Sequence, residues 1–110
     1  MEIRFIPDRN GDANPPDLLG DICLSDGRNT ILDNCTYPDP WLDALKKGTR
    51  LLRHEKVASI DLVEESNPLV FEKRDSHIVI SYGDSFIFVN SVEEILLALQ
   101  DFEGRDADKG

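Results

Sequence analysis

The sequence predicts an α+β protein: a single domain with an antiparallel sheet of about six to seven strands and two amphipathic helices. Three observations indicate this fold class. Short runs alternate polar and apolar residues, as strands do, and two longer segments repeat apolar residues at helical spacing. The connections between successive strand segments are short enough for hairpins. The predicted order is strand, hairpin, helix, four-strand meander, helix, and 110 residues are enough to bury one core.

A first strand and a long loop begin the chain. Residues 2 to 6 (EIRFI) alternate polar and apolar side chains, and Pro7 ends the strand. Residues 7 to 17 (PDRNGDANPPD) have the composition of an exposed loop. Their alternating Asp and Asn residues resemble a calcium-binding loop, but Ala13 stands where that loop needs glycine and Leu19 where it needs glutamate. We therefore expect no metal site.

Residues 18 to 35 predict a hairpin around a two-residue turn, which pairs Leu18 with Cys35 and Cys23 with Thr30. Its core face carries Leu18, Ile22, Leu24, Ile31 and Cys35. In this register the two cysteines lie at different heights on opposite faces of the sheet, so a disulfide is not expected. Reduced cysteines, no targeting segment and no long apolar run predict a cytoplasmic protein that is not in a membrane.

The first helix is predicted to begin with Asp39 as N-cap and Pro40 in the first helical position. Its apolar stripe consists of Trp41, Leu42, Leu45, Thr49 and Leu52. Gly48 interrupts this helix at a cost of about 1 kcal/mol relative to alanine. The glycine therefore indicates either a close packing contact or an early end of the helix.

A meander of four strands follows, at residues 57 to 63, 69 to 74, 77 to 82 and 85 to 89. A turn with glycine in first position pairs Tyr82 with Ser85. The facing pairs are then Ile80 and Ile87, Ile78 and Val89, Val79 and Phe88, and Ser81 and Phe86. Because both faces are apolar, both faces of this hairpin must be buried. Helices could pack on opposite faces, the sheet could curl round itself, or a second chain could pack on one side. We expect the covers to come from within the chain.

The second helix begins at the capping box formed by Ser91 and Glu94. Its apolar stripe consists of Val92, Ile95, Leu96, Leu99 and Phe102. Gly104 is predicted to end the helix. The domain therefore spans residues 1 to 103, and residues 104 to 110 are predicted to be a disordered tail.

The chain is strongly acidic, with a formal net charge of −10, but its charges are unevenly distributed. Residues 46 to 56 hold five basic residues and one acidic one, whereas acids dominate on both sides. An acidic surface disfavours nucleic-acid binding and favours a basic protein partner. The basic segment is either a solvated helix end stabilised by the helix dipole or a recognition patch for an anion, and the first interpretation is favoured.

The sequence shows no catalytic motif. It has no nucleophile elbow, phosphate loop or dinucleotide fingerprint, and His54 and Glu55 lack the second histidine of a zincin helix. We therefore predict no enzyme activity and no cofactor. A small enzyme remains the weaker alternative, and it requires a concave pocket in which His77, Tyr82 or His54 meets a carboxylate.

The segment TYPDPWLDALKKGTRLLRHEKVASIDLVEESNPLVFEKRDSHIVISY, residues 36 to 82, resembles a group of small acidic bacterial proteins of unknown function. These proteins share a helix start of the Asp-Pro type, an amphipathic helix, a strand ending in acidic residues, and a meander. Some of them are regarded as immunity proteins of bacterial toxin systems. The resemblance concerns element order and apolar spacing over about half of the chain, and it implies no particular functional residue.

Charge and resemblance together predict an acidic protein-binding module, such as an immunity or inhibitor protein that neutralises a basic toxin or nuclease. Its carboxylates would block the active site by mimicking phosphate. The predicted contacts are acids on loops and strand ends: Asp8, Asp12, Asp17, Glu64, Glu65, Asp75 and Asp84. The alternative is a self-associating structural or regulatory protein that forms a homodimer through the apolar hairpin at residues 77 to 89.

Overall fold

The computed structural model describes residues 1 to 7, 20 to 62 and 67 to 108, except for the side chains of Pro7, Cys35 and residues 105 to 108. The described part contains seven strands and two helices, which confirms the α+β class. The elements are β1 (Glu2–Pro7), β2 (Gly20–Ser25), β3 (Thr30–Thr36), α1 (Pro38–Leu51), β4 (Val57–Ile60), β5 (Leu69–Lys73), β6 (Ile78–Tyr82), β7 (Ser85–Val89) and α2 (Val92–Asp108).

The strands form two antiparallel sheets, of three strands in the order β1-β2-β3 and of four in the order β4-β5-β6-β7. Strand β3 packs beside β7, so the sheets meet at these two strands. The β2–β3 turn is also bound to β7: the backbone N–H of Phe88 donates a hydrogen bond to Asp26 Oδ2 at 2.8 Å. Buried side chains from both sheets and both helices form one continuous core, as expected for a single compact domain.

The β2–β3 hairpin has a longer turn than predicted. Ser25 pairs with Thr30 and Cys23 with Leu32, so the predicted pairing of Cys23 with Thr30 is wrong. The turn has four residues because it wraps around the Asp26 carboxylate, which accepts hydrogen bonds from the backbone N–H groups of Arg28 (2.7 Å) and Asn29 (2.6 Å). The register differs by two residues, which preserves the face that each side chain occupies.

The predicted core face of this hairpin is correct where it is described. Ile22, Leu24 and Ile31 are fully buried, whereas Leu18 and the side chain of Cys35 lie outside the described part of the chain. Cys23 is a free thiol, as predicted.

Burial raises the pKa of Asp26 in the turn, but the hydrogen bonds that its carboxylate accepts outweigh this effect and hold the pKa well below its usual range.

Helix α1 begins earlier than predicted. Its N-cap is Tyr37, which has an extended backbone and no side-chain cap, so the prediction of Asp39 as N-cap is wrong. Pro38 starts the helix because its fixed φ suits the first helical position, where no backbone donor is needed. Asp39 instead lies in the first turn, where its negative charge is favourable to the helix dipole.

The close approach of α1 to the sheet explains Gly48. The residue is buried within the helix, and a Cβ placed on it would lie inside the contact distance of the Phe71 ring on β5. The helix continues past Gly48 to Leu51. Of the two interpretations of this glycine, the packing contact is therefore correct.

The β6–β7 hairpin has the predicted register, with Tyr82 opposite Ser85 and Ile80 opposite Ile87. Gly83 in its turn has a φ of 59°, as a tight hairpin turn requires. One face packs into the core with both helices. The other face is only partly covered: Val79, opposite Phe88, is buried, whereas Phe86 and Phe88 remain 43% and 40% exposed. Within the described residues, the expected cover of this second face is therefore incomplete.

Helix α2 begins at Val92, with Ser91 as the predicted cap: its Oγ accepts a hydrogen bond from the N–H of Glu94 at 3.4 Å. Glu94 Oε1 in turn accepts from the backbone N–H of Asn90 at 3.3 Å, one residue before the position that a capping box uses. The Glu94 carboxylate also forms an ion pair with the amino group of Met1 at 2.9 Å. This contact connects α2 to the start of β1.

The C-terminal end of α2 differs from the prediction. The helix does not end at Gly104 but continues to Asp108, so residues 104 to 108 are helical and not a disordered tail. Gly104 lacks the positive φ that a C-terminal glycine cap adopts, and a glycine inside a helix lowers its stability without ending it. Residues 109 and 110 lie outside the description.

Candidate functional site

Helix α1 lies along the four-stranded sheet and gives the molecule two distinct ends. At the beginning of α1, the Trp41 ring makes an edge contact with Tyr82 at the end of β6, with 4.9 Å between ring centroids. Trp41 Nε1 also donates to Asp33 Oδ2 on β3 at 3.1 Å. At the other end of the helix, the chain passes Lys56, whose carbonyl accepts a hydrogen bond from the N–H of Lys73 at 2.7 Å.

The end of the sheet next to the start of α1 carries exposed carboxylates. Asp84 lies in the β6–β7 turn, and Asp61 follows β4 directly. Ladder pairing through β5 places the ends of β4 and β6 at the same side of the sheet. The contact of Trp41 with Tyr82 places the first turn of α1, which contains Asp39, at the same end of the sheet. The Asp39 carboxylate also interacts electrostatically with Lys46, further along the same helix. We call Asp39, Asp61 and Asp84 the acidic end; all three side chains are exposed.

The opposite end of the sheet carries three cations among several carboxylates. Arg53, just after α1, lines a cavity of about 430 Å³ with Lys73 at the end of β5 and Arg74 in the β5–β6 connection. The carboxylates of Asp75 and Glu93 line the same cavity. We call these three residues the basic end. Arg74 is partly neutralised by an ion pair with Glu72. The basic end therefore combines its three cations with nearby carboxylates, whereas Asp39, Asp61 and Asp84 lie toward the other end of α1.

The structure separates the two predicted contact residues that it describes. Asp84 belongs to the acidic end, whereas Asp75 lies in the β5–β6 turn beside the cations of the basic end. Both are exposed, and β6 lies between them, so they are at opposite ends of the sheet. The other predicted contacts, Asp8, Asp12, Asp17, Glu64 and Glu65, lie outside the described residues.

Two residues of the acidic end were not predicted as contacts. Asp39 was assigned to the N-cap, and Asp61 to the interior of a strand over residues 57 to 63. Strand β4 ends at Ile60, which leaves Asp61 at the strand end. The Asp-Pro dipeptides and the polar residues after Ile60 are the sequence signals for both positions, but neither signal shows that the two residues lie at one end of the sheet.

His77 lies beside a hydroxyl group and an aromatic ring. His77 Nδ1 lies 3.1 Å from the hydroxyl of its neighbour Ser76, and its ring packs edge-on against Phe88 at 5.2 Å. Asp75 and Glu93 line the same cavity. No carboxylate of the described chain hydrogen-bonds to His77, which a serine and histidine pair needs for orientation of the imidazole.

Neither the Cys23 thiol nor the potential metal ligands among the described residues form a stronger candidate for a functional site. Burial raises the pKa of the Cys23 thiol, although Arg4 lowers it, so the reactive thiolate is disfavoured. Within residues 1 to 7, 20 to 62 and 67 to 108, no three His, Cys, Asp or Glu side chains are grouped in a way that could hold a metal ion. The absence of enzyme activity stays a prediction.

Comparison with known proteins gives no relative from which a function can be transferred: no family model, curated protein or solved structure matches the chain. The resemblance to small acidic bacterial proteins therefore stays an expectation. No helix in the described part of the chain is long and apolar enough to span a membrane.

Proposed function

We propose that this protein is an acidic binding module that docks a basic protein partner at its acidic end. The observation that carries the proposal is the exposure of Asp39, Asp61 and Asp84 at one end of the sheet, opposite the cations of the basic end. An immunity or inhibitor protein of a basic toxin or nuclease is the class that this arrangement fits best, since carboxylates there mimic the phosphates of the substrate.

The separation of charge supports this function kinetically. A net charge of −10 attracts a basic partner over a distance of about one Debye length, roughly 8 to 10 Å at moderate salt. The cations at the opposite end offset the carboxylates beside them, so that end attracts the partner less than the acidic end does, and the encounter is biased toward one orientation. Glu64 and Glu65, which the sequence places between Leu62 and Asn67, are proposed to add to the attraction. The free thiol of Cys23 is consistent with a cytoplasmic site of action.

The test is a variant in which the acidic end is neutralised, Asp39→Asn with Asp61→Asn and Asp84→Asn. The wild-type protein is used to capture a basic partner from its native host or from a neighbouring toxin gene, and association rates are then measured with that partner. We expect the variant to associate more slowly by about tenfold or more, because electrostatic steering is lost. High salt should slow the wild type by a similar factor.

A charge-matched control separates location from net charge. Glu2→Gln with Glu55→Gln and Glu93→Gln removes the same number of exposed carboxylates from other parts of the described surface. We expect this control to keep most of the wild-type rate. If it slows association as much as the acidic-end variant, or if no basic partner is captured at all, the proposal is wrong.

Exposed aromatic residues favour homodimer formation as a second candidate function. Phe86 and Phe88 on β7 pack edge-on against each other at 5.3 Å, and both side chains remain exposed on their face of the sheet. Leu32, 51% exposed on the neighbouring strand β3, extends the apolar surface. We call these three residues the outer sheet face. Apolar surface of this kind is typical of an interface with a second chain.

Light scattering tests the homodimer. If the outer sheet face is an interface, the wild-type mass is that of a dimer and resists high salt, whereas Phe86→Thr with Phe88→Thr gives a monomer with an unchanged circular dichroism spectrum. Leu97→Gln is the control, since Leu97 is 64% exposed on α2 and outside the outer sheet face. A monomeric wild type at high protein concentration, or an equal effect of Leu97→Gln, would rule the dimer out.

A further inference from the structure

A groove of about 550 Å³ lies between α1 and α2, on the helical side of the molecule. Its walls combine cations of α1 with apolar and polar side chains of α2. The lining residues are Lys46, Thr49, Arg50, Arg53, Leu96, Leu99, Gln100 and Glu103. Its volume is within the range of small-molecule sites, which is roughly 300 to 1,000 Å³.

The cations of this groove are only partly neutralised. Lys46 Nζ forms an ion pair with Glu103 Oε1 at 2.6 Å, and the hydrogen bond from this contact raises the pKa of Lys46. Arg50 and Arg53 form no ion pair with any residue in the described ranges. They are three positions apart and line the same groove, where the one lining carboxylate, that of Glu103, is already paired with Lys46.

The α2 wall supplies apolar surface beside these cations. Leu96 was expected in the core stripe, but it is 38% exposed and lines the groove with Leu99. An apolar side chain that remains this accessible next to two guanidinium groups gives the groove two kinds of surface. A ligand complementary to both needs an anionic group and an apolar part.

We propose that this groove binds a small amphipathic oxyanion, a carboxylate or phosphate group joined to an apolar chain. The oxyanion is placed against Arg50 and Arg53, whose fork-shaped guanidinium groups match carboxylate and phosphate geometry. The chain lies along Leu96 and Leu99. A small ligand is favoured over an anionic polymer because the net charge of −10 repels a polyanion. This binding is independent of the acidic end.

Octanoate is a suitable probe. Acetate, which has the carboxylate without the apolar chain, and octanamide, which has the chain without the charge, are its two controls. Binding is followed by NMR chemical shifts of the Arg50 and Arg53 side chains and the Leu96 and Leu99 methyl groups. We expect octanoate to shift these signals at concentrations where acetate and octanamide do not. Octyl phosphate at the same concentration then shows which oxyanion the groove prefers.

Matched variants locate the site. Arg50→Gln and Arg53→Gln are each expected to weaken octanoate binding by about tenfold, the effect of losing one charge-assisted hydrogen bond. Lys47→Gln removes an exposed cation of the same helix that does not line the groove, and should leave binding unchanged. Leu96→Asn should weaken binding, whereas Leu97→Asn should not, because only Leu96 lines the groove.

Several results would overturn the proposal. These are no shift of groove signals by octanoate or octyl phosphate, equal binding of octanamide, or equal weakening by Lys47→Gln and Arg53→Gln. Shifts centred on Phe86 and Phe88 would show binding to the outer sheet face instead. Preferential binding of an acidic peptide over both amphiphiles would also contradict it.

Discussion

Replacing Gly48 by alanine is expected to lower the free energy of unfolding by about 3 kcal/mol, near the upper end of the usual cost of overpacking a core. A methyl group at this position falls on the Phe71 ring, which is fully buried and cannot move into solvent. Helix propensity acts in the opposite direction and would stabilise α1 by about 1 kcal/mol. The sign of the measured change therefore shows which effect dominates. Urea unfolding followed by circular dichroism provides the measurement.

Gly104 provides the matched control, since it also lies in a helix but has open space where its Cβ would be. Gly104→Ala is expected to stabilise the protein by up to about 1 kcal/mol. Phe71→Leu should make Gly48→Ala less costly, so that the two changes together cost less than the sum of the single changes. Stabilisation by Gly48→Ala similar to that by Gly104→Ala would show that α1 does not pack this closely on β5.

Replacing Trp41 by alanine is expected to cost about 3 to 5 kcal/mol, as is typical for truncation of a large buried aromatic residue. Trp41 is fully buried, donates a hydrogen bond to Asp33 and contacts the Tyr82 ring. The side chain therefore holds the start of α1 against both sheets. Trp41→Phe keeps most of the buried area but loses the indole N–H, and should cost about 1 to 2 kcal/mol.

Circular dichroism during urea unfolding measures both changes, because Trp41 is the one tryptophan of the chain and fluorescence is lost with it. Tyr37→Ala is the control, an aromatic truncation at the N-cap of the same helix where the ring is 37% exposed. Its expected cost is below about 1 kcal/mol. Equal losses for Trp41→Ala and Tyr37→Ala would contradict the central place of Trp41 in the core.

Local patterns were sufficient to predict most of the fold. The register of the β6–β7 hairpin followed from its glycine turn and alternating side chains, and the buried positions of the β2–β3 hairpin followed from a period of two. The four-residue turn of the β2–β3 hairpin could not be predicted. It forms around the carboxylate of Asp26, which also accepts a hydrogen bond from Phe88 on a strand far away in the sequence. Nor does local sequence show that seven strands divide between two sheets.

The candidate site was harder to predict because it depends on contacts between distant segments. The sequence identified the acidic excess and the basic segment, but Asp75 and Asp84 were treated as equivalent contacts. The β6 strand places them at opposite ends of the sheet, and only the packing of Trp41 on Tyr82 brings Asp39 to the same end as Asp84. Such an arrangement follows from tertiary structure and leaves no periodic signal in the chain.

The most direct test of the acidic end is an NMR titration of the ¹⁵N-labelled protein with an oligolysine peptide at low salt. We predict that the largest backbone shifts cluster around Asp39, Asp61 and Asp84, and that they disappear in the variant with all three changed to Asn. Shifts spread evenly over exposed carboxylates, or equally reduced by Glu2→Gln with Glu55→Gln and Glu93→Gln, would show that the protein attracts cations through net charge alone and has no acidic docking site.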